Sequence, residues 1–180
     1  MSESIRVAIV DDHQLVSLAV GGLIDSHEGL EFVGHAPSVE RLLAGRYDAR
    51  LVVLDLNLRD GSRPSQNVER LRSRGSDVLV LTSGENPYLI REVSRSGVLG
   101  IVRKSADPED ILDAIAAAAT GQPIVTTEWA AALDSDPDLR SAPLTDRERE
   151  VLTLYASGLP AKSVARRLSV SENTIDDHIR

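Results

Sequence analysis

The sequence predicts an α/β fold, a doubly wound five-stranded parallel sheet, followed by a small all-α unit. Three observations predict it. Short runs rich in Val, Ile and Leu alternate five times with stretches whose apolar residues recur at three- and four-residue spacing, the patterns of strands and amphipathic helices. The runs are apolar at successive rather than alternate positions, which suits strands covered on both faces, as in a parallel sheet. After a Ser-, Asp- and Pro-rich break, the periodicity resumes as helix alone.

The first strand is "IRVAIV" (5 to 10), followed by the helical "HQLVSLAVGGLIDSH"; "LEFVGHA" (30 to 36) and "SVERLLAG" form the second pair. "LVVLDL" (51 to 56) precedes "SQNVERLRSRG", "VLVLTS" (78 to 83) precedes "PYLIREVSRSG", and "VLGIVRK" (98 to 104) precedes "DPEDILDAIAAAATG". Asp107 and Pro108 supply an N-cap and a preorganised first helical position, and Gly121 ends that helix where a left-handed residue is needed. Gly75 and Gly97 stand in the same place after their helices. The repeated unit predicts a flavodoxin-like strand order over residues 1–121.

Residues 122–142 read as a linker, "SDPDLRSAP" above all, with Trp129 in "TTEWAAAL" anchoring a short helix on a neighbouring surface. In residues 143–180, Thr145 and Glu148 have capping-box spacing, so a helix starts at Asp146 and runs to about Ser157. "AKSVARRLSV" supplies a second helix, and "SENTIDDHIR" opens a third capped by Ser171.

Bulk properties narrow the function. At 180 residues there is room for two domains. The absence of cysteine excludes disulfides, thiolate metal sites and cysteine nucleophiles. A net charge of −8 excludes a generally basic nucleic-acid coat, so any DNA contact is local. No apolar stretch reaches the ~18 residues of a membrane span, and "MSESIRVAIVDD" lacks the features of a secretory signal, so a cytoplasmic protein is expected.

In an open parallel sheet the binding crevice lies outside the carboxyl ends of the strands. Here the first strand ends in Asp11 and Asp12, the third in Asp55, the fourth in Thr82 and Ser83, and the fifth in Lys104. Crowded carboxylates repel, and a pKa rises unless a cation compensates. Mg2+ is suited to this, since it prefers oxygen ligands and accepts a phosphate oxygen among them. Lys104 adds a point charge for a phosphoryl oxygen and Thr82 a hydroxyl donor, so the set fits phosphoryl transfer to a carboxylate with Asp55 as nucleophile. A lone Asp after a strand is more often a cap or turn former, and Asp12, just before the helix, partly answers to that. Four strand ends with matching chemistry do not. His13 and His35 read as structural or surface residues, with no second ligand at a metal spacing.

These residues carry a resemblance. "VAIVDDH", "LVVLDLN", "VLVLTS" and "GIVRK" resemble the receiver domain of bacterial two-component response regulators. "LTDREREVLTLYASGLPAKSVARRLSVSENTIDDHI" is similar to the LuxR-type helix-turn-helix, and the ordered pair resembles a NarL/FixJ-type response regulator over nearly the whole chain. The resemblance implies that Asp55 is the phosphoacceptor and that Asp11 and Asp12 are the acidic pair. It implies Mg2+ held by the side chains of Asp12 and Asp55 and the backbone carbonyl of Asn57. Thr82 would be the switch hydroxyl and Lys104 the phosphoryl-binding lysine. It also implies a sensor histidine kinase or a small acyl phosphate as donor, promoter DNA as target, and a homodimer on activation.

Two departures stand out. Ile101 occupies the place, three residues before the lysine, where receivers usually carry Tyr or Phe. The loop "NLRDGSRPSQN" lacks the common Met-Pro pair and brings Gly61 closer to Asp55; its Arg59 and Arg63 either sit near the phosphoryl group or, the favoured reading, are solvated loop residues.

In the second unit, Lys162, Arg166 and Arg167 suit phosphate contacts, with a solvated helix face as the competing reading. Ser171, Asn173, Thr174, Asp177, His178 and Arg180 begin a recognition helix for the major groove. From Pro143 onward six basic side chains face six acidic ones, which is weak electrostatics for DNA. Relatives have a longer recognition helix and then a fourth helix. The chain therefore reads as truncated at its C-terminus, and this fragment is expected to bind promoter DNA weakly or not at all. A hydrolase of the haloacid-dehalogenase kind would carry a second acid where Asn57 stands, so no enzyme activity is expected beyond phosphorylation and dephosphorylation of Asp55. A pseudo-receiver acting by protein contacts alone is the other reading, which Ile101 and the altered loop keep open.

Overall fold

A computed structural model of the chain describes residues 4–45, 47–84, 86–126 and 129–130. The elements run β1 (Ile5–Val10), α1 (Gln14–Asp25), β2 (Leu30–Ala36), α2 (Val39–Ala44), β3 (Leu51–Leu54), α3 (Pro64–Arg72), β4 (Asp77–Thr82), α4 (Pro87–Ser94), β5 (Gly100–Arg103) and α5 (Pro108–Ala119). The five strands pair in parallel in the order β2-β1-β3-β4-β5. This is the doubly wound sheet the alternation predicts. The order reverses between β1 and β3, which makes the carboxyl ends of those two strands the floor of the crevice.

Continuous apolar strands follow from this arrangement. Val7, Ile9, Leu51, Val53, Leu79 and Leu81 pack in one cluster with Val20 and Ile24 of α1 and Ile111, Ile115 and Ala118 of α5. Their neighbours Ala8, Val10, Val52, Leu54, Val78 and Val80 are equally buried, and side chains alternate between sheet faces. These face the layer in which α2 contacts α3 and α3 contacts α4. The first layer packs closely: a Cβ on Gly21 of α1 would lie 2.6 Å from the Phe32 ring.

The punctuation differs in one detail from its sequence reading. Asp107 holds the N-cap position of α5 with Pro108 next, but its side chain makes no capping hydrogen bond. Gly75, Gly97 and Gly121 all take positive φ, at 85°, 76° and 79°. Past Gly121, Ile124 donates its N–H to Leu99 O at 2.6 Å and forms a parallel bridge with Gly100. The chain divides into two compact units, Met1–Ile124 and Val125–Arg180. In the second, Trp129 and Ala130 are helical, and the Trp129 N–H donates to Thr126 Oγ1 at 3.3 Å. The readings for Lys162, Arg166, Arg167, Ser171, Asn173, Thr174, Asp177, His178 and Arg180 lie outside the described residues. Among the described residues, no helix is long and apolar enough to cross a membrane.

Ile115 is fully buried between α5 and the sheet. Ile115→Ala is expected to cost the receiver unit about 2–5 kcal/mol, the usual cost of an unfilled core cavity. Urea unfolding followed by far-UV circular dichroism measures it, and a loss below about 1 kcal/mol would mean that α5 is not part of the core.

Candidate functional site

Each predicted rim residue falls at or just past a strand end. Asp11 follows β1, Asp55 follows β3, Thr82 closes β4, and Lys104 follows β5. Backbone bonds fix these positions: the Asp11 N–H donates to Ala36 O at 3.1 Å, Asp55 to Val10 O at 2.9 Å, and Lys104 to Thr82 O at 2.8 Å. The last rungs of the ladder thus deliver the side chains to one place.

They converge on an ammonium. Lys104 Nζ lies 2.7 Å from Asp11 Oδ2 and 2.8 Å from Asp55 Oδ2. Asp11 and Asp55 are only 3% and 4% exposed, so water screens little of this interaction. Burial pulls the Lys104 pKa down, but hydrogen bonds to Asp11 and Asp55 and their negative charge outweigh it, leaving it above the ordinary lysine value. The second Asp55 oxygen accepts the Asn57 N–H at 3.3 Å, while the Asn57 side chain faces solvent. Thr82 is buried, and its Oγ1 accepts the Gly84 N–H at 3.2 Å.

Two residues read as bystanders in the sequence are at the rim. His13 joins Asp11, Asp12 and Asp55 in a cluster whose ligand atoms lie within 4.8 Å of one another. Its Nδ1 is 3.1 Å from Asp11 Oδ1 and 3.0 Å from Asp12 Oδ1. Arg59, read as solvated, reaches back: its Nε is 3.4 Å from Asp12 Oδ2 and its Nη2 is 3.2 Å from His13 Nε2. Arg63 takes the N-cap position of α3. The helix-cap reading of Asp12 is also corrected. His13 is the N-cap residue of α1, and the carboxylate that binds its N–H, at 2.8 Å, is Asp11. An adjacent His after an acidic pair was the available signal for His13, but its ring direction depends on the start of α1.

Asp12 itself is left short of donors. Its Oδ1 is buried and makes no hydrogen bond, the nearby His13 Nδ1 notwithstanding. The rim therefore combines two carboxylates held by Lys104, a third carboxylate with an unsatisfied oxygen, and a hydroxyl on a neighbouring strand. Ile101, at the position of the missing aromatic, is completely buried and pairs with Val80 of β4.

A family model described as the response regulator receiver domain matches residues 7–116, and one described as bacterial regulatory proteins, luxR family, matches residues 142–180. The chain is similar to the nitrate/nitrite response regulator protein NarL of Escherichia coli (strain K12), at 32% identity over 192 residues, covering 99% of this chain and 87% of that protein. Among solved structures, the response regulator ChrA of a heme-sensing two-component system matches with a TM-score of 0.63 at 27% identity, covering 99% of this chain and 88% of that one. RcsB, solved as two dimers bound to two parallel DNAs, matches with a TM-score of 0.63 at 26% identity, covering 98% and 88%.

Because the folded-state pKa of Lys104 is raised, its contribution to stability is complete below the unfolded value of about 10.4 and is lost as pH rises through the higher folded value. Lys104→Met is expected to destabilise the receiver unit at neutral pH by leaving two buried carboxylates unpaired. In urea unfolding, the gap between wild type and variant should narrow only above about pH 10.4. A gap that is constant far into the alkaline range would contradict this.

Proposed function

The chain belongs to the bacterial response regulators that join a receiver domain to a LuxR-type DNA-binding domain, and from that membership we propose that Asp55 accepts a phosphoryl group from a sensor histidine kinase in a Mg2+-dependent reaction. Phosphorylation would then control a DNA-binding transcription regulator. The observation that carries the reading is Asp55 itself, buried at the crevice floor with Lys104 Nζ 2.8 Å from one of its oxygens.

Mg2+ fits the residues present. Asp12 Oδ1 is an enclosed anionic oxygen without a hydrogen bond, and of the three residues clustered with Asp12 two, Asp11 and Asp55, offer carboxylate oxygens, the ligands a hard cation prefers, the third being the His13 imidazole. Asp12 and Asp55 would hold it by side chain and Asn57 by its backbone carbonyl; when bound it supplies neutralisation of charge on the transferred oxygens.

This chain's own groups account for the rest. An Asp55 oxygen attacks phosphorus, the new O–P bond forms, and the bond to the donor's imidazole nitrogen breaks with its electron pair returning to that nitrogen. Lys104 remains a fixed positive charge beside the acceptor and suits a phosphoryl oxygen. Thr82 has its Oγ1 lone pair engaged by Gly84 and its O–H free to donate. At position 57 an asparagine stands where a hydrolase would have an acid to activate water, so the aspartyl phosphate persists as a signal and no turnover enzyme is inferred. The partners proposed are a histidine kinase, promoter DNA through the LuxR-type unit, and a second copy on activation; RcsB, a similar protein, binds DNA as dimers.

Incubation with acetyl phosphate and MgCl2, followed by intact-protein mass spectrometry, tests this. A single phosphate adduct is expected, absent in Asp55→Asn and after chelation with EDTA. Wild type without an adduct would favour a receiver that works by protein contact alone. Continuous phosphate release without an adduct would favour a hydrolase.

A further inference from the structure

The loop after β3 departs most from the receiver pattern, and it has a defined construction. Leu56 and Leu58 are buried, which anchors the chain on either side of Asn57. Beyond Arg59, Asp60 Oδ1 accepts the Ser62 N–H at 2.9 Å and the Ser62 hydroxyl at 2.5 Å. The Ser62 oxygen in turn accepts from Nδ2 of the buried Asn67 in α3, at 2.7 Å. Arg59 is thus the residue between a buried leucine and a turn tied to a helix. Its guanidinium is directed toward the acidic rim although its side chain is 78% exposed.

The contacts it makes there are specific. Guanidinium nitrogens only donate, so the 3.2 Å contact between Arg59 Nη2 and His13 Nε2 assigns the lone pair to Nε2 and the ring proton to Nδ1. Nδ1 then donates to Asp11 Oδ1. Asp12 is covered from both sides: Arg59 Nε lies 3.4 Å from its Oδ2, and its Oδ1 is enclosed beside the His13 ring. A cation arriving from solvent at the Asp12 carboxylate therefore meets the Arg59 guanidinium beside Oδ2, while Oδ1 is enclosed.

We propose that Arg59, steadied by His13, is an internal cap on Asp12 that a divalent cation must displace to occupy the site. The inference rests on the Mg2+ reading above and adds a residue that sets how readily the metal binds. A guanidinium at the rim stands in for part of the metal's charge while the metal is absent. Binding at Asp12 then exchanges one cation for another, with Lys104 staying on Asp11 and Asp55. Arg59 is a positioning residue in this scheme, acting through Asp12 and His13.

The test is a MgCl2 titration of the uniformly 15N-labelled 180-residue chain at constant ionic strength, with no phosphodonor present. The reporters are the amides of Asn57 and His13, which donate to Asp55 Oδ1 and Asp11 Oδ1. Arg59→Gln should lower the Mg2+ midpoint about two- to fivefold, the scale of an exposed ion pair. Arg59→Lys, which keeps the charge but not the fork, should fall between the two. An unchanged or higher midpoint in Arg59→Gln overturns the cap and leaves the phosphoacceptor reading standing. Absence of any saturable Mg2+ shift in wild type removes both.

Discussion

The rest of this molecule depends on where the Lys104 ammonium sits. Two carboxylates that are almost wholly buried, Asp11 and Asp55, share it at 2.7 and 2.8 Å. Buried anions without a partner cost several kcal/mol each, so the fold tolerates these acids only if a cation reaches them. Lys104 starts from the edge strand β5, and β3 is two strands away, about 10 Å at the usual interstrand spacing. A long aliphatic stem must therefore cross the end of β4. The residue there is Thr82, small enough to be crossed and joined to Lys104 by a backbone bond of 2.8 Å. Strand order, the small residue closing β4 and the lysine after β5 are one requirement seen from three sides.

Much of this was legible in the sequence because it is periodic. Strands covered on both faces must be apolar at every position, and "LVVL" and "VLVL" can satisfy little else. Once the strands are placed, the residue after each is placed too, which is why Asp11, Asp55, Thr82 and Lys104 emerged together. The acids that follow β1 were harder to sort. Adjacent residues leave a strand in different directions, and the N–H of His13 chose Asp11, the more buried of the two.

Loops carry no such periodicity, and the misread residues lie in loops. Arg59 and His13 meet across 46 positions of sequence. That contact depends on the path of "NLRDGSRPSQN", which is set by the Asp60 turn and by Asn67 holding Ser62. None of these hydrogen bonds has a signature at a fixed spacing from His13. An arginine in a polar loop looks solvated by composition, and at 78% exposure it largely is, yet its charged end is at the acidic rim.

The aliphatic residue at 101 has an energetic consequence for a receiver. Ile101 is fully buried against β4, with no ring to move between core and surface and no hydroxyl to trade partners. The rim remains joined to the β4–α4 loop by the Gly84 N–H donating to Thr82 Oγ1. Arg103, paired in register with Thr82, packs so closely that a Cβ on Gly84 would be 2.9 Å from its guanidinium. A neutral hydrogen bond contributes about 1 kcal/mol net, which biases a two-state equilibrium by only about fivefold. Moving such an equilibrium from almost all of one state to almost all of the other takes about 5.5 kcal/mol. The Thr82–Gly84 bond alone falls well short of that. Charge at the rim itself is a larger source of bias: under the proposed phosphorylation, a phosphoryl group on Asp55 would change the company of Lys104.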